Sequence, residues 1–144
     1  MRRPPMRPMT HTVYVLETDP LERRWIAHAL ASSGHTLVFV EHGDALLERL
    51  PVRPGDCLVC GAGPDGTAAL ELVRGLRRRG ERMPVVVIGP HSAFRSAVDV
   101  ARLEGTDFIE RPSSAQRLRA ALRKVTQGSA RDGPEGTGPG KERA

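Results

Sequence analysis

Residues 57–76 read CLVCGAGPDGTAALELVRGL. The first four, Cys57, Leu58, Val59 and Cys60, are apolar without alternation, and glycines then fall at Gly61, Gly63 and Gly66. After them Ala69, Leu72, Val73 and Leu76 recur at the spacing i, i+3, i+4, i+7. An unbroken apolar run between turn residues predicts a strand covered on both faces, because a strand with one wet face alternates. The later spacing places four side chains on one helix face. The stretch therefore reads as a strand, a tight turn and an amphipathic helix.

The same two patterns repeat on either side of it. Val13-Tyr14-Val15-Leu16, Leu37-Val38-Phe39-Val40, Val85-Val86-Val87-Ile88 and Asp107-Phe108-Ile109 are further short apolar runs. Phe94, Ala97, Val98 and Ala101 repeat the helical spacing, as do Leu118, Ala121, Leu122 and Val125. Asp19 is placed to cap the first helix, with Pro20 at its first position and Glu22 completing a capping box. Gly34 suits a left-handed stop for that helix, and Ser113 with Gln116 repeats the box before the last one. Five strands alternating with five helices predict a doubly wound α/β domain with helices on both faces of a parallel sheet. Ligands in such folds sit at the carboxyl ends of the strands.

Composition sets the outer limits. A chain of 144 residues, 39% hydrophobic and 27% charged, is a single domain with one core and excludes a two-domain enzyme. Aromatics make up 3%, so aliphatic and alanine side chains must fill that core. Residues 1–11, with Arg2, Arg3 and Arg7, read as a flexible basic arm, and 127–144, rich in glycine and polar residues, as a disordered tail. The folded region is expected over 12–126. No apolar run approaches the roughly 20 residues that cross a bilayer, and no apolar stretch follows the N-terminal arginines as in a secretory signal. Two cysteines make no disulfide framework, so a reduced, cytoplasmic protein without a membrane partner is expected.

Four strand-end segments, VYVLETDP (13–20), CLVCGAGPDG (57–66), MPVVVIGPH (83–91) and DFIERP (107–112), stand in this order and spacing. Together they resemble the receiver domain of bacterial two-component response regulators, over nearly the whole folded region. The resemblance implies a flavodoxin-like three-layer sandwich around a five-stranded parallel sheet. In that family an acid pair after the first strand holds magnesium, and an aspartate ending the third strand accepts a phosphoryl group. A Thr or Ser after the fourth strand and a Lys after the fifth contact the phosphoryl oxygens. Carried onto this chain, the acid pair falls on Glu17 and Thr18, the acceptor on Gly61, the hydroxyl on Gly89 and the lysine on Arg111. Pro112 keeps the neighbouring proline, and Phe108 falls on the aromatic position that changes rotamer when receivers switch.

The departures direct the functional expectation. Glycine at position 61 has no nucleophile. Glu17 alone is a poor magnesium site, since that ion keeps its waters unless several oxygens hold it, so weak or absent Mg²⁺ binding is expected and no other cofactor. Arg111 retains a positive charge, as a planar fork in place of a compact ammonium. With no anion at position 61, Arg111 is expected to pair with Glu17 or to reach solvent. The chain is therefore read as a degenerate, phosphorylation-independent receiver and not an enzyme. Its role would be that of an interaction module in a phosphorelay. Its expected partners are a histidine kinase, a phosphotransfer protein, another response regulator or a second copy. Asp99, Arg102, Glu104, Arg117 and Arg119 are the candidates for that partner face.

Other readings compete at particular residues. Asp65, slid onto the acceptor position, would make a conventional receiver. Gly61, Gly63 and Gly66 match GxGxxG and, with Arg111 as an anion nest, would make a nucleotide or small-molecule sensor. No acid ends the next strand to bind a ribose, and a tight glycine turn explains the motif without a ligand. Cys57 and Cys60, three apart in a strand, point to opposite faces and read as packed cysteines. His28 is expected on an exposed helix face and His91 on the rim of the site. Arg77, Arg78 and Arg79 end a helix, where cations satisfy free carbonyls, and nucleic acid is not the expected partner.

Overall fold

The computed structural model describes residues 11–63, 66–93, 99, 102–103, 105–111 and 113–131. Five strands, β1 (Thr12–Leu16), β2 (Thr36–Val40), β3 (Cys57–Gly61), β4 (Val85–Gly89) and β5 (Thr106–Glu110), form one sheet. Their order is β2-β1-β3-β4-β5 and every pairing is parallel. Between them run α1 (Pro20–Ala29), α2 (Gly43–Leu47) and α3 (Thr67–Arg78), and the chain's last helix spans Ala115–Arg131. The doubly wound expectation holds. The helix expected from Phe94, Ala97, Val98 and Ala101 lies outside the described residues, as do Arg2, Arg3, Arg7, Asp65, Glu104, Pro112 and residues 132–144.

The apolar runs are continuous because successive side chains enter two different cores. Val13, Val15, Cys57, Val59, Val86 and Ile88 pack against Ile26 and Ala29 of α1 and Leu118, Ala121, Leu122 and Val125 of the last helix. Leu16, Leu58, Cys60, Val85 and Val87 face the opposite layer, with Leu46 of α2 and Ala69, Val73 and Leu76 of α3. Both expected helical stripes are thus in the core. Leu118 is 0% exposed, and burying such a side chain contributes about 1.5–3 kcal/mol.

Several boundaries differ from the sequence reading. Asp19 caps α1, its side chain accepting the Leu21 amide at 2.9 Å. The reciprocal half of the box is made by Glu17, whose Oε2 accepts the Asp19 amide at 3.0 Å, because Glu22 is drawn away to Arg111. α1 ends at Ala29, before Gly34, where the Ser33 hydroxyl donates to the Leu30 carbonyl at 2.8 Å and closes the turn. Gly34 does adopt φ 86°, but in the turn leading to β2. Ser114, not Ser113, caps the last helix by accepting the Arg117 amide at 3.1 Å. That helix also continues to Arg131, beyond the boundary expected at 127, since each added residue of a formed helix gains a hydrogen bond.

At the amino end of the sheet, polar groups close loops. Asp56, 2% exposed, accepts the Thr12 amide at 2.8 Å and the Arg53 amide at 3.3 Å. Arg77 donates to the carbonyls of Glu81 at 2.8 Å and Met83 at 2.9 Å, the helix-end role read for the arginine run.

Candidate functional site at the carboxyl ends of the strands

Parallel register carries Leu16 level with Cys60, Gly61 with Ile88 and Gly89 with Glu110. Glu17, Gly61, Gly89 and Arg111 therefore meet at one end of the sheet. The topological switch lies between β1 and β3, where strand order reverses. Thr18 is exposed beside them.

Glu17 and Arg111 organise this end. The Glu17 side chain is 9% exposed, and its Oε1 lies 3.5 Å from Arg111 Nη2. Arg111 Nη2 also donates to the Ile88 carbonyl at 3.3 Å, while its Nε lies 3.3 Å from Glu22 Oε1. That last contact is an ion pair without hydrogen-bond alignment, since Nε is buried with no hydrogen-bond partner. The backbone holds the arginine in place, its amide donating to the Gly89 carbonyl at 2.7 Å. Pairing of Arg111 with Glu17 was expected; Glu22 as a second partner was not, because the capping-box spacing assigned it to the backbone. Part-exposed pairs of this kind stabilise by about 0.2–1 kcal/mol each.

The two glycines are sites of close approach. A Cβ at Gly61 would collide with Glu17 Oε1 and lie 2.8 Å from its carboxyl carbon, so the Glu17 carboxylate occupies the space of a residue-61 side chain. A Cβ at Gly89 would collide with that of Ala62 and stand 3.3 Å from two ring carbons of Phe108. The Phe108 ring is thus turned toward Gly89. Among residues 17, 18 and 61, Glu17 supplies the one carboxylate, already engaged by Arg111 and the Asp19 amide. The residues at these positions do not fit a magnesium ion. Among the described residues, no group of three or more His, Cys, Asp and Glu side chains is arranged to hold a metal.

Two hollows flank the pair. A cleft of about 280 Å³ opens between Leu16, Glu17, Gly61, Gly63 and Leu72, and Arg111 does not line it. Arg111 lines a smaller hollow of about 130 Å³ with Glu22, Trp25, Ile88 and Ser113, whose buried hydroxyl has no hydrogen-bond partner. In these two hollows, lined by described residues, Gly61 and Gly63 belong to one and Arg111 to the other. Gly63 and Gly66 take φ 79° and 80°, the left-handed turn that glycine provides.

Cys57 and Cys60 are buried and lie in opposite cores. Burial first, then the nearby charges of Asp56 and Glu17 respectively, pushes each thiol up to about 12. Both thus remain protonated packing groups. His28 is exposed on α1, and His91 opens a short 3₁₀ turn after β4. Of the residues read as a partner face, Arg102 and Arg117 are exposed and Asp99 is half-buried. Arg119 points elsewhere: its Nη1 donates to the Ala29 carbonyl at 2.9 Å, on the α1 side of the last helix.

The geometry has counterparts among known proteins. The response regulator receiver domain family matches residues 13–123. Transcriptional regulatory protein FixJ of Azorhizobium caulinodans is 32% identical over 127 residues, covering 88% of this chain and 60% of that protein. The transcriptional regulator NtrC of Escherichia coli K12 is 28% identical over 100 residues, covering 69% of this chain and 21% of that one. The chain thus spans well under the full length of these relatives. Full-length FixJ from B. japonicum superposes with TM-score 0.73 at 23% identity, covering 90% of this chain and 63% of that chain. The receiver domain of NtrX from Brucella abortus gives 0.69 at 23% identity, covering 80% and 98%. At these identities the structures speak to fold alone, and no helix among the described residues is long and apolar enough to cross a membrane. With the family matched across most of the folded region, the chain belongs to the response regulator receiver domains of two-component signalling.

Proposed function

We propose that this receiver works without phosphorylation, as a protein-interaction module in a two-component pathway and not as an enzyme. The observation that carries the reading is the Glu17 carboxylate, which fills the side-chain space of Gly61 and is already paired with Arg111. A carboxylate and a cation thus face one another at the end of β3. Gly89 offers no hydroxyl to a phosphoryl oxygen, and its open space is taken by Ala62 and the Phe108 ring.

In this reading the effect passes through a partner: a histidine kinase, a phosphotransfer protein, another response regulator or a second copy. Arg102 and Arg117 with Asp99 form its proposed contact face, joined by Glu104. Arg119 is better assigned to holding the carbonyl end of α1. The whole-protein activities of FixJ-like and NtrC-like relatives belong to longer chains. A nucleotide in the Gly61–Gly66 loop has less support, because Glu17 and Glu41 line that cleft and Arg111 does not.

The test is incubation of the full chain with acetyl phosphate and magnesium, read by intact mass. No covalent phosphoryl increment is expected. An increment that vanishes in Asp65→Asn would establish the conventional receiver instead.

A further inference from the structure

The last helix and the segment that packs beside its outer half share an unusual charge pattern. Residues 115–131 contain Arg117, Arg119, Arg123, Lys124 and Arg131 and no Asp or Glu. Residues 25–40, WIAHALASSGHTLVFV, also lack any acid. Where these two acid-free segments meet, a groove of about 400 Å³ opens, far along the chain's fold from Glu17 and Arg111. Its floor is Leu30 and Leu122, and its polar walls include Ser32, His35, Arg119 and Arg123. We propose that this groove is a binding site for a small phosphomonoester with an apolar body.

The donors are arranged for an anion. Arg119 is held in place by one nitrogen, Nη1, on the Ala29 carbonyl at 2.9 Å, which leaves the rest of its fork to a ligand. The Arg123 side chain is exposed and makes no hydrogen bond or ion pair among the described residues. Ser32 is exposed at the rim. Two other hydroxyls are committed inward, Ser33 to the Leu30 carbonyl at 2.8 Å and Thr126 to the Leu122 carbonyl at 2.6 Å. Ser33 Oγ thereby accepts from His35 Nδ1 at 2.8 Å, fixing the imidazole as part of the wall. The opposing field is the carbonyl end of α1, a partial charge of about −0.5. It is outweighed by two full guanidinium charges, one of them bonded to that end.

Phosphate suits this donor set, since a guanidinium presents planar paired donors to its oxygens. The apolar floor gives the ester's body a place to be buried, and about 400 Å³ is within the usual range of small-molecule sites. The site does not depend on whether the receiver is phosphorylated.

Titration of the ¹⁵N-labelled full chain with phenyl phosphate tests it, with inorganic phosphate, phenol and benzylamine as comparisons. Saturable shifts are expected at the amides of Leu30, Ser32, His35, Arg119 and Arg123 with phenyl phosphate. Inorganic phosphate should bind there more weakly, and phenol and benzylamine should not. Arg123→Gln, which removes one charge-assisted contact, and Ser32→Glu, which sets a carboxylate against the phosphate, are both at exposed positions and are expected to weaken binding about tenfold each. Absence of saturable shifts, shifts confined to the Arg111 end, or an affinity in both variants unchanged from that of the unsubstituted chain would overturn the proposal. So would groove shifts produced by duplex DNA or anionic vesicles but not by phenyl phosphate, which would assign the groove to a macromolecule or a lipid surface.

Discussion

At the amino end of the sheet Asp56 is 2% exposed and holds two backbone amides, and Arg77 holds two carbonyls. At the carboxyl end Arg111 is 29% exposed and spans two glutamates at 3.5 and 3.3 Å, between open hollows. The first arrangement pairs side-chain charge with backbone amides and carbonyls near the strand starts, so it ties loops to the strands. The second is chiefly side chain to side chain, with the Ile88 carbonyl and the Asp19 amide as its backbone partners. Charge at the amino end thus engages backbone, whereas charge at the carboxyl end is mostly paired with other charge.

The largest expected effect follows from the buried carboxylate. Asp56→Ala leaves the Thr12 and Arg53 amides unpaired and should destabilise the chain by about 2–4 kcal/mol in urea unfolding. A loss under about 1 kcal/mol would erase the contrast between the ends. Arg77→Ala comes next, at about 1–2 kcal/mol, with Arg77→Lys recovering only part because one ammonium does not span both carbonyls.

The carboxyl end should respond more weakly. Glu17→Gln and Arg111→Gln are each expected to cost under about 1 kcal/mol, with a coupling of about 0.2–1 kcal/mol in a double-mutant cycle. Gly61→Ala should also fall under about 1 kcal/mol, since its Cβ meets the movable end of Glu17 and not backbone. A coupling of several kcal/mol would make the Glu17–Arg111 pair a structural tie like Asp56.

How legible this was in the sequence differs between the two ends as well. The strands were plain because each apolar run feeds two cores, and the convergence of Glu17, Gly61, Gly89 and Arg111 follows from their places after parallel strands. Other features depend on side-chain direction, which one-dimensional spacing does not carry. The Asp19 amide goes to Glu17, although Glu22 has the capping spacing, because Arg111 draws Glu22 away. Ser113 and Ser114 differ by one position, and only the packed helix start selects Ser114. Arg119 sits one turn from residues facing another way and reaches α1. Asp56 carries no local sequence signal of its role, since its amide partners come from the distant Thr12 and from Arg53.

The smallest expected effect is a pH dependence at the amino end. Burial first, then the neighbouring His11, lowers the His35 pKa below its ordinary 6.5. The unfolded chain then binds the proton more readily, so stability falls as pH drops from about 6.5 toward the lowered native value and is flat above. His35→Asn, whose amide can still donate to Ser33, should flatten that slope in unfolding midpoints taken on either side of pH 6.5.

The most direct test of the central claim is a ¹H–¹⁵N spectrum of the full chain with magnesium and beryllofluoride, a phosphoryl mimic. An unphosphorylatable receiver predicts no saturable shifts at the amides of Gly61, Ala62, Gly89, Phe108 and Arg111. Saturable shifts at those amides that disappear in Asp65→Asn would contradict it.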